Sequence, residues 1–459
     1  MIWVSMAVMI STIVISLALL RSWRGDALGI PLVAIASFSF LYVVQPMQLL
    51  LTGTNSLFLT DSQMSKALLV SALMLASFMW GWMFRVQQTR PAVSPLWDRR
   101  VMWNFGFGAA CVGLSLYMIF LERSGGISAA YSAAHGQAMA WEKNTAYLYF
   151  GPWLMLSGSS MMIFADLKFR TRRWMTYMPY AFVTLFLADA FMGGDRGPLF
   201  AGTTTALISY SIARRRRVEI WRAFCWLLVV GSIIIIVFAN RDKIHLGEQK
   251  SEHVQSSEEA INGLVGTGEY DKEHNTSGQE FLVHATTLDT VDQTGKLDYG
   301  VPWIEVLVIN PIPKILWPEK SYPPSPGITA EDVKERTSFS IAGGSAPGIV
   351  ADIYQRFHLF SVLFFFFLGF GFRRLLIAAC SLNSPVATVG YVMCYAVSLN
   401  MFAQGFAAAF VPVGYSMFPV LLFAWVSRRS RQRAKRRQGE LMLLQLAALR
   451  GRKWSSSRS

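Results

Sequence analysis

Mainly apolar runs close to the ~20 residues a helix needs to cross hydrocarbon recur along the chain. They fall at 2–20, 27–51, 64–84, 101–121, 145–166, 174–191, 197–213, 221–239, 349–372, 385–403 and 408–427. The pattern predicts an all-α, polytopic integral membrane protein of about eleven transmembrane helices. Helices one to eight occupy 1–239, with a smaller loop at 122–144. One large exoplasmic loop follows at 240–348, then helices nine to eleven at 349–427 and a basic tail at 428–459. The runs 174–191 and 197–213 are short and parted by Gly193-Gly194-Asp195-Arg196-Gly197. Segment 299–318 is apolar but broken by prolines and bounded by charge, which reads as interfacial or re-entrant. The first run has no basic residue before it, and Arg21 and Arg24 follow it. It is therefore read as a membrane helix and not as a cleaved signal.

Composition supports this reading, with 53% hydrophobic residues and only 15% charged, where a soluble domain is nearer a quarter charged. The net charge of +14 comes from 42 basic and 28 acidic residues. With the N-terminus outside, the cytoplasmic segments are 21–26, 85–100, 166–173, 214–222, 373–384 and the tail. They hold 28 basic and 5 acidic residues, which leaves +23 on that side and −9 on the other. The surplus is thus an orientation signal. Arg214, Arg215, Arg216 and Arg217 and the tail read as juxtamembrane clusters facing anionic lipid. The tail lacks the interleaved aromatics of a single-strand binder, so no nucleic-acid partner is expected.

Cys111, Cys225 and Cys394 lie in predicted spans, and Cys380 lies on the cytoplasmic side. With no C-x-x-C pair, neither disulfides nor thiolate metal sites are expected. There is no phosphate-cradling G-x-x-x-x-G-K-[ST] loop, no H-E-x-x-H and no exoplasmic D-x-D, so neither metal nor cofactor is expected.

All six histidines fall on the exoplasmic half, as do the two longest polar excursions. Four stretches there carry chemistry. In 122–127 (ERSGGI), Arg123 beside two glycines offers a guanidinium fork and open backbone N–H groups to an anion such as phosphate. A plain helix end with a flexible turn has the same sequence. In 193–198 (GGDRGP), Arg196 stands in a break close to hydrocarbon, where a charge costs about 2.5 kcal/mol or more unless paired or hydrated. Pro198 suits a helix N-terminus, and Asp189 is positioned to partner Arg196 or line the same cavity. In 310–320 (NPIPKILWPEK), Lys314 and Lys320 flank Trp317, an arrangement that suits phosphate and sugar or a membrane-hugging loop. In 352–358 (DIYQRFH), Asp352 and Arg356 are spaced i, i+4, as are Tyr354 and His358. Glu280 and His284 form another such pair if that stretch is helical, and either acid or His284 offers a general base.

These motifs, in this order, resemble the bacterial O-antigen polymerases of the Wzy type and the related oligosaccharide repeat-unit polymerases. The features are R-S-G-G-I after a span, the G-D-R-G-P-L break, a long loop with I-P-K-I-L-W-P-E-K, and G-x-x-A-D-x-Y-x-x-F before a late span. They cover about 100–410. The resemblance implies an inner-membrane glycosyltransferase. Such enzymes transfer a glycan from undecaprenyl diphosphate to the sugar end of a second lipid-linked repeat unit, on the periplasmic face and without a metal. It also implies basic residues where Arg123, Arg196 and Lys320 stand. The family often has P-R where Pro313-Lys314 stands here, and Glu where this chain has Asp352.

On that basis Arg123 and Arg196 are expected to hold the donor diphosphate, helped by Lys314, Lys320 and Arg356. Asp352, then His284, is expected to be the base, and Trp303, Trp317 and Tyr322 the sugar platforms. The partners would be the lipid-linked oligosaccharides and the bilayer, with a chain-length regulator left open. Two rivals share the pattern. One is a ligase that hands the same glycan to lipid A core, and the other a transporter of lipid-linked sugars.

Overall fold

In the computed structural model the described residues are 1–22, 29–52, 58–84, 97–131, 146–166, 173–193, 196–214, 280–309, 326–337, 347–407 and 409–429, with isolated positions between 312 and 341. They form helices and connections with no strand among them. The longer helices are α1 (Ile2–Ser22), α2 (Ile30–Ser39), α3 (Gln45–Thr52), α4 (Asp61–Met83), α5 (Arg99–Arg123), α6 (Gly151–Asp166), α7 (Arg173–Met192) and α8 (Arg196–Arg214). They continue with α9 (Glu280–Thr294), α10 (Ala330–Thr337), α11 (Gly348–Phe357), α12 (Ser361–Ser381), α13 (Pro385–Ala396), α14 (Ser398–Gln404) and α15 (Ala409–Arg429).

Seven of the described segments are long and apolar enough to cross a membrane, or eight if α13 and α14, bent by 46° at Val397, count as one broken span. Among the described residues the chain is therefore all-helical, with helices of the length and hydropathy of membrane spans. The expected count of about eleven is not reached among the described residues, for local reasons. Run 145–166 yields a short turn, Ala146–Tyr149, and the 16-residue α6, which is buried on nearly every residue and is a core helix. Run 197–213 is helical but diluted by Thr203, Thr204 and Thr205, and 221–239 lies outside the described residues.

Caps set several starts. Thr60 and Gln63 form a reciprocal capping box before α4, and Asp98 accepts from the N–H groups of Arg100 and Val101 at 2.9 and 3.3 Å before α5. Packing then depends on small residues, since hydrocarbon tails offer helices no hydrophobic drive to associate. The antiparallel α5 and α6 touch backbone to backbone. A Cβ on Gly106 would sit 2.6 Å from the Gly158 carbonyl oxygen, and one on Gly113 2.6 Å from that of Gly151.

Within the predicted loop 240–348, residues 280–294 are helical. This helix, α9, packs against α4 and α11 and is buried from Phe281 to Leu288. Its threonines masked it in the sequence. Thr286, Thr290 and Thr294 each donate to the carbonyl four residues back, at 2.7–2.8 Å, and so present methyl surface to their neighbours. The α2–α3 rod carries a π-helical turn at Phe40–Val44 just before Gln45. Gln45 accepts the Phe281 N–H at 2.9 Å and donates to Glu280, holding the first residues of α9 within the bundle. Segment 299–318 opens with a helical turn, Val301–Ile304, that runs into a π turn, Glu305–Ile309.

Candidate functional site

The helices beside the first two motifs meet through a tyrosine that the sequence reading did not single out. α5 ends at Arg123, and Gly125 and Gly126, at φ 86° and 101°, turn the chain into Ile127–Ala130. Tyr131 follows, buried, and its hydroxyl donates to Asp189 Oδ1 on α7 while lying 2.8 Å from the Tyr117 hydroxyl on α5. Asp189 is itself buried, three residues before the end of α7. The expectation of open N–H groups at Gly125 and Gly126 is corrected. Gly125 donates to the Glu122 carbonyl at 3.1 Å and Gly126 to the Leu121 carbonyl at 2.8 Å, closing the helix end. Arg123 remains exposed at that end.

The break after Gly193 leads directly into α8, whose first residue is Arg196, with Pro198 in its first turn as expected. The Arg196 side chain lies outside the described residues. Gly197 is buried against Asn400 of α14: a Cβ there would fall 2.2 Å from Asn400 Oδ1. A larger residue there would have to displace the Asn400 amide.

From α14 the path continues to the fourth motif. Gly405, at φ 120°, presses on Asp352, and a Cβ there would meet that carboxyl at 3.0 Å. Asp352 Oδ2 accepts the Phe406 N–H at 2.8 Å, and Oδ1 bonds Arg356 at 2.8 Å. The other arm of Arg356 reaches Asp298 at 2.8 Å, and its guanidinium lies 5.1 Å from the Trp303 ring centroid. All three charged groups are buried. Desolvation pushes the Asp298 carboxyl above its ordinary value, against the pull of Arg356. The predicted i, i+4 pairing of Asp352 with Arg356 is therefore present. Its consequence is that the Arg356 charge is matched twice within the protein and both Asp352 oxygens are engaged. Trp303 packs on Phe406 at 4.7 Å and on Phe364 at 5.4 Å.

His284 also sits in protein surroundings. It is fully buried, with its ring 4.8 Å from that of Tyr42. Ser71 donates its own proton to the Ala67 carbonyl, so His284 Nε2–H donates to Ser71 Oγ at 3.1 Å. Burial pushes the imidazole down to about 3. The unfolded chain then binds a proton near pH 6.5 that the folded state refuses. The stability present above pH 6.5 is lost as the pH falls towards 3, by up to a factor of ten in the folding equilibrium per pH unit. Thermal melts of His284→Gln protein between pH 7 and 4 are expected to be flatter than those of wild type; parallel curves would show that His284 does not titrate in this way.

A second polar cluster was only partly visible in the sequence. The predicted Tyr354–His358 pair is in place, with the Tyr354 hydroxyl 3.0 Å from His358 Nε2. Both groups converge on Asp292 of α9: His358 Nε2 at 2.9 Å and the Tyr354 hydroxyl at 2.8 Å from Oδ1, with Lys66 of α4 on Oδ2. Burial would raise Asp292, but Lys66, Tyr354 and His358 outweigh it and hold the carboxyl below its ordinary value. With Nε2–H on the carboxylate, Nδ1 is left as the basic nitrogen. The His358 side chain is 40% exposed, and its backbone, at φ 49° and ψ −131°, breaks the rod between α11 and α12. A non-glycine residue there stores strain of order 1–3 kcal/mol. No spacing rule links Asp292 to His358 across 66 residues, so only the fold assembles this group.

Of the third motif, Trp317 is described and half-buried, while Lys314, Lys320 and Tyr322 lie outside the described residues. The chain matches no family model, no curated protein and no solved structure.

Proposed function

We propose that this protein is a membrane-embedded glycosyltransferase that polymerises undecaprenyl-diphosphate-linked oligosaccharide repeat units into O-antigen or a related surface polysaccharide. The observation that carries the reading is the Tyr131–Asp189 contact. It links the chain that follows the Arg123 excursion to α7, the helix that precedes the Arg196 break, which supports a reading in which the two arginine motifs, 73 residues apart, act together. The proposal includes about eleven spans in a bacterial inner membrane, a periplasmic N-terminus, a large periplasmic loop at 240–348 and a cytoplasmic tail.

In the reaction, the acceptor hydroxyl oxygen attacks the anomeric carbon of the donor glycan. The bond from that carbon to the diphosphate oxygen breaks, and the undecaprenyl diphosphate leaves with the electron pair. Arg123 and Arg196, with Lys314 and Lys320, stabilise the developing charge, as preorganised cations do best where water is scarce. Trp317 and Tyr322 face sugar rings. The base takes the proton from the acceptor hydroxyl. Among the sequence-favoured groups, Asp352 is held by Arg356 and Phe406, and His284 is enclosed with a strongly lowered affinity for protons. We therefore assign this step to His358, oriented by the ionised Asp292, with Asp352 and Arg356 as positioning residues.

Reconstitution tests the reading. Purified protein supplied with lipid-linked repeat units is expected to build a ladder of longer glycans without ATP or an ion gradient. Flipping without chain growth would make it a transporter, and growth only onto lipid A core would make it a ligase. Within the positive outcome, His358→Gln should lower turnover about 10²-fold or more while leaving lipid-linked substrate binding in place. Turnover within a few-fold of wild type removes His358 from the proton transfer.

A further inference from the structure

Three oxygens converge where the π turn Phe40–Val44, the start of α11 and the end of α14 come together. Gly348, the first residue of α11, has φ 72°. The three atoms nearest a Cβ built on it are Tyr42 Oη at 3.2 Å, the Phe402 carbonyl oxygen at 3.7 Å and the Ala403 carbonyl oxygen at 3.8 Å. Tyr42 belongs to the π turn and is 1% exposed, and among the described residues its hydroxyl has no hydrogen-bond partner. α14 ends at Gln404, so the Phe402 and Ala403 carbonyls fall in its last turn, beyond the reach of its own N–H groups. The N–H that a continuing helix would bring to the Phe402 carbonyl is that of Phe406, and it donates to Asp352 at 2.8 Å.

One turn along α11 from Gly348, the buried charges do not balance. Asp298 and Asp352 are two carboxylates on one guanidinium, that of Arg356, which leaves a surplus of one negative charge among these three groups. An unmatched charge in the interior is costly, and the carbonyl end of α14 adds partial negative charge beside it. His284, whose ring lies 4.8 Å from that of Tyr42, is held neutral by burial and supplies no counter-charge. A proton on one carboxylate would remove the surplus and leave the three oxygens as they are. A water molecule would bond the oxygens and bring no charge. A monovalent cation answers both needs, and the carbonyls of interrupted membrane helices are where such ions are held. No group of three His, Cys, Asp or Glu side chains stands together among the described residues, so the donor set is one of neutral oxygens, which suits a hard alkali ion and not a transition metal.

We infer that one alkali cation, sodium or potassium, binds between the Tyr42 hydroxyl and the Phe402 and Ala403 carbonyls, with the Asp298–Arg356–Asp352 group as its counter-charge. The ion ties the π turn, the start of α11 and the end of the broken span to one another. The site is independent of the proposed glycosyl transfer and stands whether or not the chain is a polymerase.

Full-length protein in detergent, exchanged into choline chloride and titrated with radioactive sodium, tests this. Wild type should bind one ion per chain saturably, and excess unlabelled sodium chloride, but not choline chloride, should displace it. Its melting temperature should be about 2–4 °C higher in saturating sodium than in choline chloride of equal ionic strength. Tyr42→Phe keeps the ring and removes one ligand, and should weaken sodium binding about tenfold or more and abolish the sodium-specific rise. Without an ion, the same change deletes an unpartnered buried hydroxyl and should leave stability unchanged or raise it in either salt. Asp298→Asn, which removes the surplus charge and touches no ligand, should also weaken binding about tenfold or more, and serves if Tyr42→Phe does not fold. Equal melting of wild type in the two salts overturns the inference in favour of a water. So does the absence of saturable sodium binding, or binding that a folded Tyr42→Phe or Asp298→Asn protein leaves undiminished.

Discussion

Arg356→Met is expected to be among the most destabilising single substitutions in this protein. It leaves Asp298 and Asp352 buried and facing one another with no counter-charge. Breaking a buried pair in this way costs roughly 3–5 kcal/mol, a large part of the roughly 5–15 kcal/mol that holds a typical domain folded. Asp352 also accepts the Phe406 N–H ahead of α15, so its release loosens the broken span as well as α11. Poor accumulation and a strongly lowered melting temperature by fluorescence-detected size exclusion are the expected readouts. The control is Arg356→Met combined with Asp298→Asn and Asp352→Asn, which removes the charges and keeps the shapes. It should recover much of the loss, because the penalty belongs to the unpaired carboxylates more than to the missing bridge. An Arg356→Met protein that melts at nearly the wild-type temperature would mean the triad is solvated.

The second large effect is chemical. Arg196→Lys keeps the positive charge at the start of α8 but removes the planar fork that engages two phosphate oxygens at once. If Arg196 stabilises the leaving diphosphate, polymer formation should fall about 10²–10³-fold with the melting temperature unchanged, since the substitution leaves the Gly197–Asn400 contact alone. Polymer of normal length and amount would end the diphosphate assignment. A parallel fall in stability and activity would instead make Arg196 a structural residue. Arg356 and Arg196 are thus separable: the first change should act on the folded protein, the second on the reaction.

The two arginines also differ in how legible they were. Both sit in Gly- or Asp-bearing motifs beside apolar runs, and residue type alone gave them similar roles. For Arg356 the structure shows burial and pairing. Arg356 has its i, i+4 partner Asp352, which spacing indicates, and a second partner, Asp298, from a loop 58 residues upstream, which spacing does not. The glycines of 122–127 offer a similar lesson. Their sequence fits both an anion nest and a helix end, and the hydrogen bonds of Gly125 and Gly126 choose the helix end while Arg123 stays exposed. The buried α9 was illegible for another reason. Periodicity rules count threonine as polar, whereas a threonine bonded to its own helix packs as an apolar residue.

The sequence by itself determined the class: apolar runs of membrane length, the sorting of 28 basic residues to alternate connections, and local pairs such as Asp352–Arg356 and Tyr354–His358 whose spacing equals one helical turn. These are legible because hydrocarbon thickness and helix pitch are fixed lengths that write directly onto residue number. Only the tertiary structure decided that Tyr131 meets Asp189, that Gly197 seats Asn400, and that Asp292 orients His358. Those contacts join residues tens to hundreds apart, and they depend on how the helices pack to bring distant side chains together, which no local pattern records.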